Sequence, residues 1–146
     1  MATIHYLTAG ESHGPALTAI LAGLPAGLKL DEARIREDLA RRQLPLGAGA
    51  RMAIETDYAE IVGGVMAGVT TGAPVALRIV NKNHEAWKGR AVTALTTPRP
   101  GHADFAAAVK YGYDDVRPAL ERASARETAA RVAVNMPFTF RSITLS

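Results

Sequence analysis

The sequence predicts an α+β fold in which antiparallel strands pack with helices. Several short segments alternate apolar and polar residues with the two-residue period of a half-buried strand, and three longer segments repeat apolar residues with the period of a helix. In the middle of the chain, predicted strands follow one another through turn signals alone. That arrangement indicates an antiparallel meander with one or two covered faces.

The N-terminal part predicts a strand, a tight turn and a second apolar segment. Thr3 to Thr8 alternates like a strand and leads into the motif Gly10–Pro15. Its two glycines indicate a tight turn at a strand end, where polar side chains are presented to a ligand. His13 in this motif fits equally a turn histidine that faces water. Ala16 to Leu24 fits a strand or a short buried helix, and the turn signal Pro25-Ala26-Gly27 favours the strand.

A helix is predicted from Asp31 to Gln43, with Asp31 as its N-cap. Ile35, Leu39 and Arg42 share one face, so Arg42 lies at the end of a buried stripe where its charge needs a partner. Two interpretations remain open. Arg42 either extends to solvent and caps the last carbonyl groups, or reaches an anion in a pocket.

The middle of the chain predicts three more strands after a glycine-rich loop at Leu44–Ala50. This loop matches neither the P-loop pattern nor the dinucleotide-binding pattern. The segment Asn81–Thr97 is polar and irregular. Trp87 fits a packing anchor for this segment, His84 is expected to be exposed, and neither is assigned a function. The predicted strands are Met52–Glu55, Ile61–Val65 and Val75–Val80.

Two prolines and a glycine in Pro98–Asp104 predict a rigid turn, followed by a helix at about His102–Gly112. His102, Phe105 and Val109 share one helical face, which predicts His102 in the first turn on the packed side. The alternative is an ordinary histidine at a helix N-terminus that bonds to the backbone.

A third helix is predicted from Ser124 to Met136. Ser124 and Glu127 form an S-x-x-E capping box, in which Ser124 accepts from the Glu127 amide and Glu127 reaches back to the Ser124 amide. The remaining amides of that turn form a ready anion site, flanked by Arg122 and Arg126. The box alone favours an ordinary capped helix. The predicted buried stripe is Ala125, Ala129, Val132, Ala133 and Met136, and a last strand is predicted at Phe138–Leu145.

Composition bounds the class of protein. With 146 residues, 48% hydrophobic and 21% charged, the chain fits one globular domain over residues 1–146. It contains no cysteine and no diagnostic His/carboxylate spacing, so no metal site is predicted. No apolar run is long enough to span a membrane, and a cytoplasmic location is expected. The net charge of +3 fits a small anionic ligand, whereas aromatic residues at 5% without a basic run argue against nucleic acid.

Three stretches together resemble the N-terminal signatures of the chorismate synthase family. The first is Gly10–Gly14, the second runs from Arg99 to Asp104, and the third runs from Arg122 to Ala133. Their order and separation also match, and the resemblance covers roughly Ile4 to Ala133. The stretch that begins at Tyr111 and leads into P-x-L-E-R-A-S-A-R is similar to the bacterial subtype.

The resemblance implies a part of a β-α-β sandwich and a lyase of the shikimate pathway. Such enzymes convert 5-enolpyruvylshikimate 3-phosphate to chorismate and phosphate by anti-1,4-elimination, with reduced FMN and with NADPH as a candidate source of electrons. By the same resemblance, His13 would protonate or hydrogen-bond the flavin, and His102 would serve the substrate near its phosphate. Substrate anions would be held by Ser12, Arg42, Arg99 and Arg126, and flavin would be contacted by Arg122, Ala123 and Ser124. Family members are tetramers, so a homo-oligomer is expected.

The chain departs from the family pattern in three places and in length. Ala48 and Leu46 stand where the family has a loop arginine and a tyrosine, so one anion contact is missing. The segment Asn81–Thr97 looks shortened, and Pro137 ends a helix that the family continues. Family chains are more than twice as long, which predicts that the 146-residue chain alone is inactive. The alternative function is therefore a non-catalytic short relative or fragment that binds a phosphorylated anionic metabolite.

Two structural expectations follow from the resemblance. His13 and His102 should lie on one side of the domain, with Arg126 between or beside them. Arg126 is expected to hold a substrate anion and to contribute little to stability, in contrast to Ser124, whose removal should cost about 1 kcal/mol through the lost cap.

Overall fold

The structure is a computed structural model that describes residues 3–43 and 57–135. An antiparallel sheet and helices make up the described chain, and this confirms the α+β prediction. The strands are β1 His5–Ala9, β2 Ala16–Ala22, β3 Ala59–Gly63, β4 Val65–Met66, β5 Val69–Thr70 and β6 Val75–Val80. The helices are α1 Glu32–Arg42, α2 His84–Trp87, α3 Asp104–Tyr111, α4 Arg117–Arg122 and α5 Thr128–Val134, and a 3-10 turn at Ala125–Glu127 precedes α5.

Four strands form the main sheet in the order β1-β2-β6-β3, with every neighbouring pair antiparallel. The strand prediction for Ala16 to Leu24 is confirmed. In β2 and β6 alternate residues point to one face, where α5 packs and helps to bury them, and Ile35 and Leu39 of α1 belong to the same core. The buried sheet residues include Leu17, Ala19, Leu21, Val75, Leu77 and Ile79. The short strands β4 and β5 form a separate hairpin.

Helix α1 begins as predicted. The Asp31 side chain accepts a hydrogen bond from the Arg34 amide at 3.2 Å, which satisfies one amide of the first turn. Ile35 and Leu39 are buried against the core, and Leu39 is 0% exposed. The helical period of the sequence therefore gave the correct inward face.

The predicted helix from Ser124 is divided. Ser124 does cap it, but its hydroxyl accepts from the amide of Arg126, and the first turn is a 3-10 turn. The reciprocal capping box is wrong, because the Glu127 side chain contacts Thr8, Arg122 and Arg131 instead. Within the predicted stripe, Ala129 and Ala133 are buried, Val132 is partly buried and Ala125 is exposed, while Met136 lies outside the described residues.

The prediction for the helix near His102 is wrong in its start and its inward face. Helix α3 begins at Asp104, and His102 lies in the turn before it. His102 is exposed, and so are Phe105 at 67% and Val109 at 70%. The inward position belongs to Asp104, which is completely buried because it pairs with Arg99. The three residues share a face, as the period required, but that face points outward.

The segment Asn81–Thr97 contains a short helix, α2, that its polar sequence did not reveal. His84 is half-buried rather than exposed, since its ring Nδ1 bonds to the carbonyl oxygen of His13 at 2.9 Å. Trp87 packs against the ring of His13, as a packing anchor would. The predicted loop at Leu44–Ala50 with Leu46 and Ala48, and the predicted strands Met52–Glu55 and Phe138–Leu145, lie outside the described residues. Across residues 3–43 and 57–135, the helices are all too short or too polar to cross a membrane.

Candidate functional site

The motif Gly10–Gly14 forms the loop between β1 and β2, and a buried asparagine clamps it. Asn81 is 2% exposed, and its side-chain nitrogen donates to the carbonyl oxygens of Glu11 at 3.0 Å and Gly14 at 2.8 Å. Both hydrogens of the amide are therefore committed to the loop. Ser12 is buried in the loop, and its amide donates to the carbonyl oxygen of Glu121 at 3.2 Å.

Three residues from two helices fix the ring and backbone of His13. Glu121 of α4 places its carboxylate oxygens 2.8 and 2.9 Å from Nδ1 of the ring, and one of them also accepts from the His13 amide at 2.8 Å. The Trp87 ring lies 4.2 Å from the His13 ring, centroid to centroid, with a tilt of 44°. His84 must donate to the His13 carbonyl, because a carbonyl oxygen only accepts.

His13 also lines a small cavity. The cavity has a volume of about 250 Å³, and Trp87 and Glu121 lie on its wall together with Glu11, Gly14, Val92 and Arg117. A larger groove of about 550 Å³ lies between β1 and α5 and is lined mainly by apolar side chains. Because none of the predicted site residues lines that groove, the smaller cavity is the relevant one for His13.

Two of the predicted substrate arginines share one buried carboxylate. Arg126 donates through Nη1 to Oδ1 of Asp57, and Arg42 donates through Nη1 to Oδ2 at 3.1 Å. Nε of Arg126 donates to the side-chain oxygen of Asn81 at 2.7 Å. Arg42 also bonds to Thr128 and to the backbone at 125. Neither arginine reaches outward, since the exposed fraction of the side chain is 11% for Arg42 and 8% for Arg126.

This cluster settles the two interpretations of Arg42 against the solvent-facing one. Burial lowers the pKa of the Arg42 guanidinium, the charge of Asp57 raises it, and the nearby Arg126 lowers it again. An arginine remains charged even so. The cluster thus contains two positive charges against one negative charge. Because Arg126 is buried and paired, the expectation that it contributes little to stability no longer holds, and it is not a surface arginine.

Arg99 forms a bidentate pair with the buried Asp104. Its Nε and Nη2 donate to the two carboxylate oxygens at 2.7 and 2.9 Å, and its amide donates to one of them at 3.1 Å. The hydrogen bond from Arg99 is the main reason why the pKa of Asp104 falls to about 2. The pKa of Arg99 is raised, chiefly by the same bond and in smaller part by the charge of Glu121. Arg99 therefore lies within electrostatic reach of the carboxylate that holds His13.

The Asp104 pair predicts a specific loss of stability in acid. A carboxyl whose folded pKa is about 2, against 3.8 in the unfolded chain, stabilises the fold above pH 3.8 and loses this contribution as the pH falls toward 2. We expect Asp104→Asn to lower the free energy of unfolding at neutral pH by about 1.5–3 kcal/mol, the value of a hydrogen bond to a charged group. The variant should also show a weaker pH dependence between these values. Urea denaturation at several pH values measures both effects, and the exposed Asp114→Asn is the matched control. Equal acid sensitivity of the wild type and Asp104→Asn would contradict the assignment.

The predicted flavin-contacting stretch lies beside the sheet. Arg122 donates to the hydroxyl of Thr8 at 2.8 Å and pairs with Glu127 at 3.1 Å, and Ala123 is exposed. Burial alone would raise the pKa of Glu127, but hydrogen bonds from Thr8 and Arg122 and the charges of Arg131 and Arg122 outweigh it, so the pKa is lowered. Ser124 is half-buried and caps the 3-10 turn.

The structure joins several predicted site residues through partners that sequence reasoning missed. Glu121 links the His13 loop to α4, Asn81 links that loop to Arg126, and Asp57 links Arg126 to Arg42. Contacts between His102 and His13 are not among those described, so their shared side of the domain stays a prediction. Glu121 stands in the P-x-L-E-R-A-S-A-R stretch, which is a signal that could have found it. Asp57 lies shortly before β3 and Asn81 directly after β6, and neither carries such a signal.

The described residues also contain no group of three or more histidine, aspartate or glutamate side chains that could hold a metal ion. Three acidic residues, Asp57, Asp104 and Glu127, pair with arginines, and Glu121 pairs with His13. The site is therefore organised by ion pairs and hydrogen bonds between elements that are far apart in the sequence.

Comparison with known proteins gives one consistent family. The family model described as chorismate synthase matches residues 4–136. The chain is 55% identical over 139 residues to a chorismate synthase of Chlorobaculum tepidum, covering 89% of this chain and 35% of the relative. It is 56% identical over 138 residues to one of Anaeromyxobacter dehalogenans, covering 90% and 36%. A crystal structure of chorismate synthase matches with a TM-score of 0.66 at 46% identity, covering 90% of this chain and 32% of that one. The chain thus spans about a third of the length of the curated relatives it matches, and by sequence and by fold it belongs to the chorismate synthase family.

Proposed function

We propose that this chain supplies part of the active site of a phosphate-eliminating lyase, which converts 5-enolpyruvylshikimate 3-phosphate to chorismate. The reaction removes phosphate and a ring proton in an anti-1,4-elimination without net redox change. The observation that supports it most is that the Gly10–Gly14 loop is held by Glu121, the residue that immediately precedes the third signature motif at Arg122. This contact brings His13 close to the stretch Arg122–Ser124. Asn81 in turn links the His13 loop to the cluster of Arg126 and Arg42.

The proposal for substrate binding rests on the charges of the arginines. A substrate with two carboxylates and a phosphate needs several guanidinium groups, because arginine binds such anions in bidentate fashion. Arg42 and Arg126 together exceed the charge of Asp57 by one, so the cluster is net positive and attracts an anion. Ser12 lies in the loop beside it, and Arg99 and His102 would approach the phosphate from the turn before α3. Guanidinium groups held in such a place would stabilise the negative charge that develops on the leaving phosphate.

Reduced FMN fits the stretch Arg122–Ser124, which is accessible at Ala123 and next to the residue that holds His13. When bound, the flavin would supply an electron transiently to the substrate, and NADPH is a candidate source of its reducing electrons. His13 would hold or move a proton at the flavin, a role that suits an imidazole in a partly buried cavity. A homotetrameric assembly in the cytoplasm belongs to the same proposal.

A chimaeric enzyme tests this function. Residues 4–136 would replace the matching segment of the Chlorobaculum tepidum relative, and chorismate formation would be measured with reduced FMN. We expect turnover by the chimaera and none by the 146-residue chain assayed alone. His13→Ala in the chimaera should lower kcat by about 10²–10⁴-fold, as loss of an acid–base group does. The matched control is His5→Ala, because His5 is exposed on β1 and its ring bonds to the backbone carbonyl oxygen of residue 3.

The alternative function is a non-catalytic relative or fragment that binds a phosphorylated anionic metabolite. It is favoured by Ala48, which stands where the family resemblance places an arginine. A chimaera that binds the substrate and flavin without turnover would support this alternative, whereas a chimaera that binds neither would contradict both functions. Ala48→Arg in the chimaera restores the arginine of the family pattern. Recovery of turnover would indicate that a single contact was lost, and no recovery would indicate a wider loss.

A further inference from the structure

We propose that Glu121 is a positioning residue for His13, which fixes the proton of the neutral imidazole on Nδ1 and leaves the lone pair on Nε2. The assignment of the proton rests on the geometry around the ring. It depends on the proposed function only for the group with which Nε2 would exchange a proton. It adds to that function a named residue of α4 that acts through His13.

The carboxylate geometry determines the tautomer. Both oxygens of Glu121 lie within 2.9 Å of Nδ1, and a carboxylate accepts hydrogen bonds but does not donate them. The hydrogen must therefore come from Nδ1. In a neutral imidazole only one nitrogen carries a hydrogen, so Nε2 is then the basic nitrogen.

The carboxylate is itself held in place. One of its oxygens also accepts from the His13 amide at 2.8 Å, and the Glu121 carbonyl accepts from the Ser12 amide at 3.2 Å. Side chain and backbone of Glu121 thus bind the same loop, and its side chain is 13% exposed. Such a partner is screened only weakly by water and cannot rotate away from the ring without breaking the loop contacts.

Two further contacts restrict rotation of the ring. Trp87 lies against one side of it, with 4.2 Å between ring centroids, and His84 donates to the carbonyl oxygen of the same residue. Neither contact involves a ring nitrogen of His13. They orient the plane of the ring, and the carboxylate of Glu121 selects the nitrogen that carries the hydrogen.

This arrangement gives Nε2 a defined task in the proposed reaction. A proton that reaches Nε2 converts the ring to an imidazolium, whose new charge lies next to the carboxylate and is stabilised by it. When the proton leaves, the ring returns to the same tautomer, because Nδ1 keeps its hydrogen throughout. In the proposed function the flavin would be the partner that gives up and takes back this proton, so the exchange moves one proton at one atom of the ring.

Nitrogen-15 NMR of the ring tests the tautomer in the chain without flavin or substrate. At a pH where the ring is neutral, the wild type should show His13 with a protonated Nδ1 and an unprotonated Nε2. His13→Gln assigns the signal among the four histidines. In Glu121→Ala the Nδ1–H form should fall from nearly all of the population to a minority. The matched control is Trp87→Phe, which retains a ring contact and the carboxylate, and which should keep the wild-type tautomer.

Two results would overturn the inference. One is a wild-type His13 ring with its hydrogen on Nε2. If Glu121→Ala does not fold, the spectrum of the wild type is sufficient to decide. The other is an unchanged tautomer in a folded Glu121→Ala. In the chimaera, Glu121→Ala should lower kcat with little change in KM, since the residue acts through His13. An inactive chimaera whose ring still has the Nδ1–H form would contradict the proposed function and leave this assignment standing.

Discussion

Asparagine in place of Asp57 should lower the free energy of unfolding by about 3–5 kcal/mol, the usual cost of removing one partner of a buried ion pair. Asp57 is 3% exposed and is the shared acceptor for Arg42 and Arg126. Without its charge, two guanidinium groups would remain buried side by side with no anion between them. Urea denaturation of the wild type and the variant measures the loss.

An exposed ion pair on the main sheet provides the control. Glu60 and Arg78 face each other on β3 and β6, with 4.0 Å between their charged atoms, and both side chains are about half exposed. Glu60→Gln should therefore cost no more than about 1 kcal/mol. Adding Arg42→Met to Asp57→Asn removes one of the two stranded charges and should restore part of the stability. Similar losses for Asp57→Asn and Glu60→Gln would refute a buried ion cluster.

Gly10→Ala should be the second strongly destabilising change, because two separate costs add at this position. The backbone of Gly10 has φ of +112°, which residues with a side chain rarely adopt, and such strain costs about 1–3 kcal/mol. A β-carbon there would also lie 2.5 Å from the carbonyl oxygen of Ala16 and 2.9 Å from the α-carbon of Leu17. Overpacking against backbone costs a further about 1–3 kcal/mol.

Gly27→Ala separates these two costs. Gly27 also has a positive φ, +86°, but a β-carbon there would have no neighbour within 4 Å. Its replacement should therefore show the strain alone and be clearly milder than Gly10→Ala in thermal unfolding. Gly10→Ala should in addition disturb the NMR signals of the His13 loop. Equal destabilisation by the two changes would mean that close packing against β2 is unimportant.

Local sequence signals predicted those parts of the fold that depend on neighbours in the chain. The cap of α1 at Asp31 and the buried positions Ile35 and Leu39 follow from three to four residues of spacing, and the structure confirms them. The strand at β2 needed only a turn signal after it. These features require no knowledge of what the element packs against.

The incorrect predictions concern side-chain pairings that neither a helical period nor a capping motif shows. Period alone shows that His102, Phe105 and Val109 share a face, but it cannot show that the Arg99 pair turns Asp104 inward and leaves that face exposed. Likewise, the capping box assumed that Glu127 bonds locally. Its carboxylate instead meets Thr8, more than a hundred positions earlier in the chain, so tertiary contacts replaced a local motif.

The candidate site shows the same division. Its histidine and arginines could be named from motifs, because family resemblance attaches to residues that are close together in sequence. The residues that hold them, Asp57, Asn81 and Glu121, were not predicted, since each acts across the fold. A sequence can therefore reveal the groups of a site before it reveals their geometry.

The clamp at Asn81 has a consequence for the entropy of ligand binding. Its amide nitrogen holds both ends of the His13 loop, and its oxygen holds Arg126, so neither the loop nor the guanidinium keeps its rotational freedom once the chain has folded. Ordering a long side chain at a binding site costs about 0.5–1.5 kcal/mol when it happens during binding. Here that ordering occurs at the folding step, so an anion bound at the cluster, as we propose, would meet groups that are already immobile, and more of its contact energy would be left for affinity.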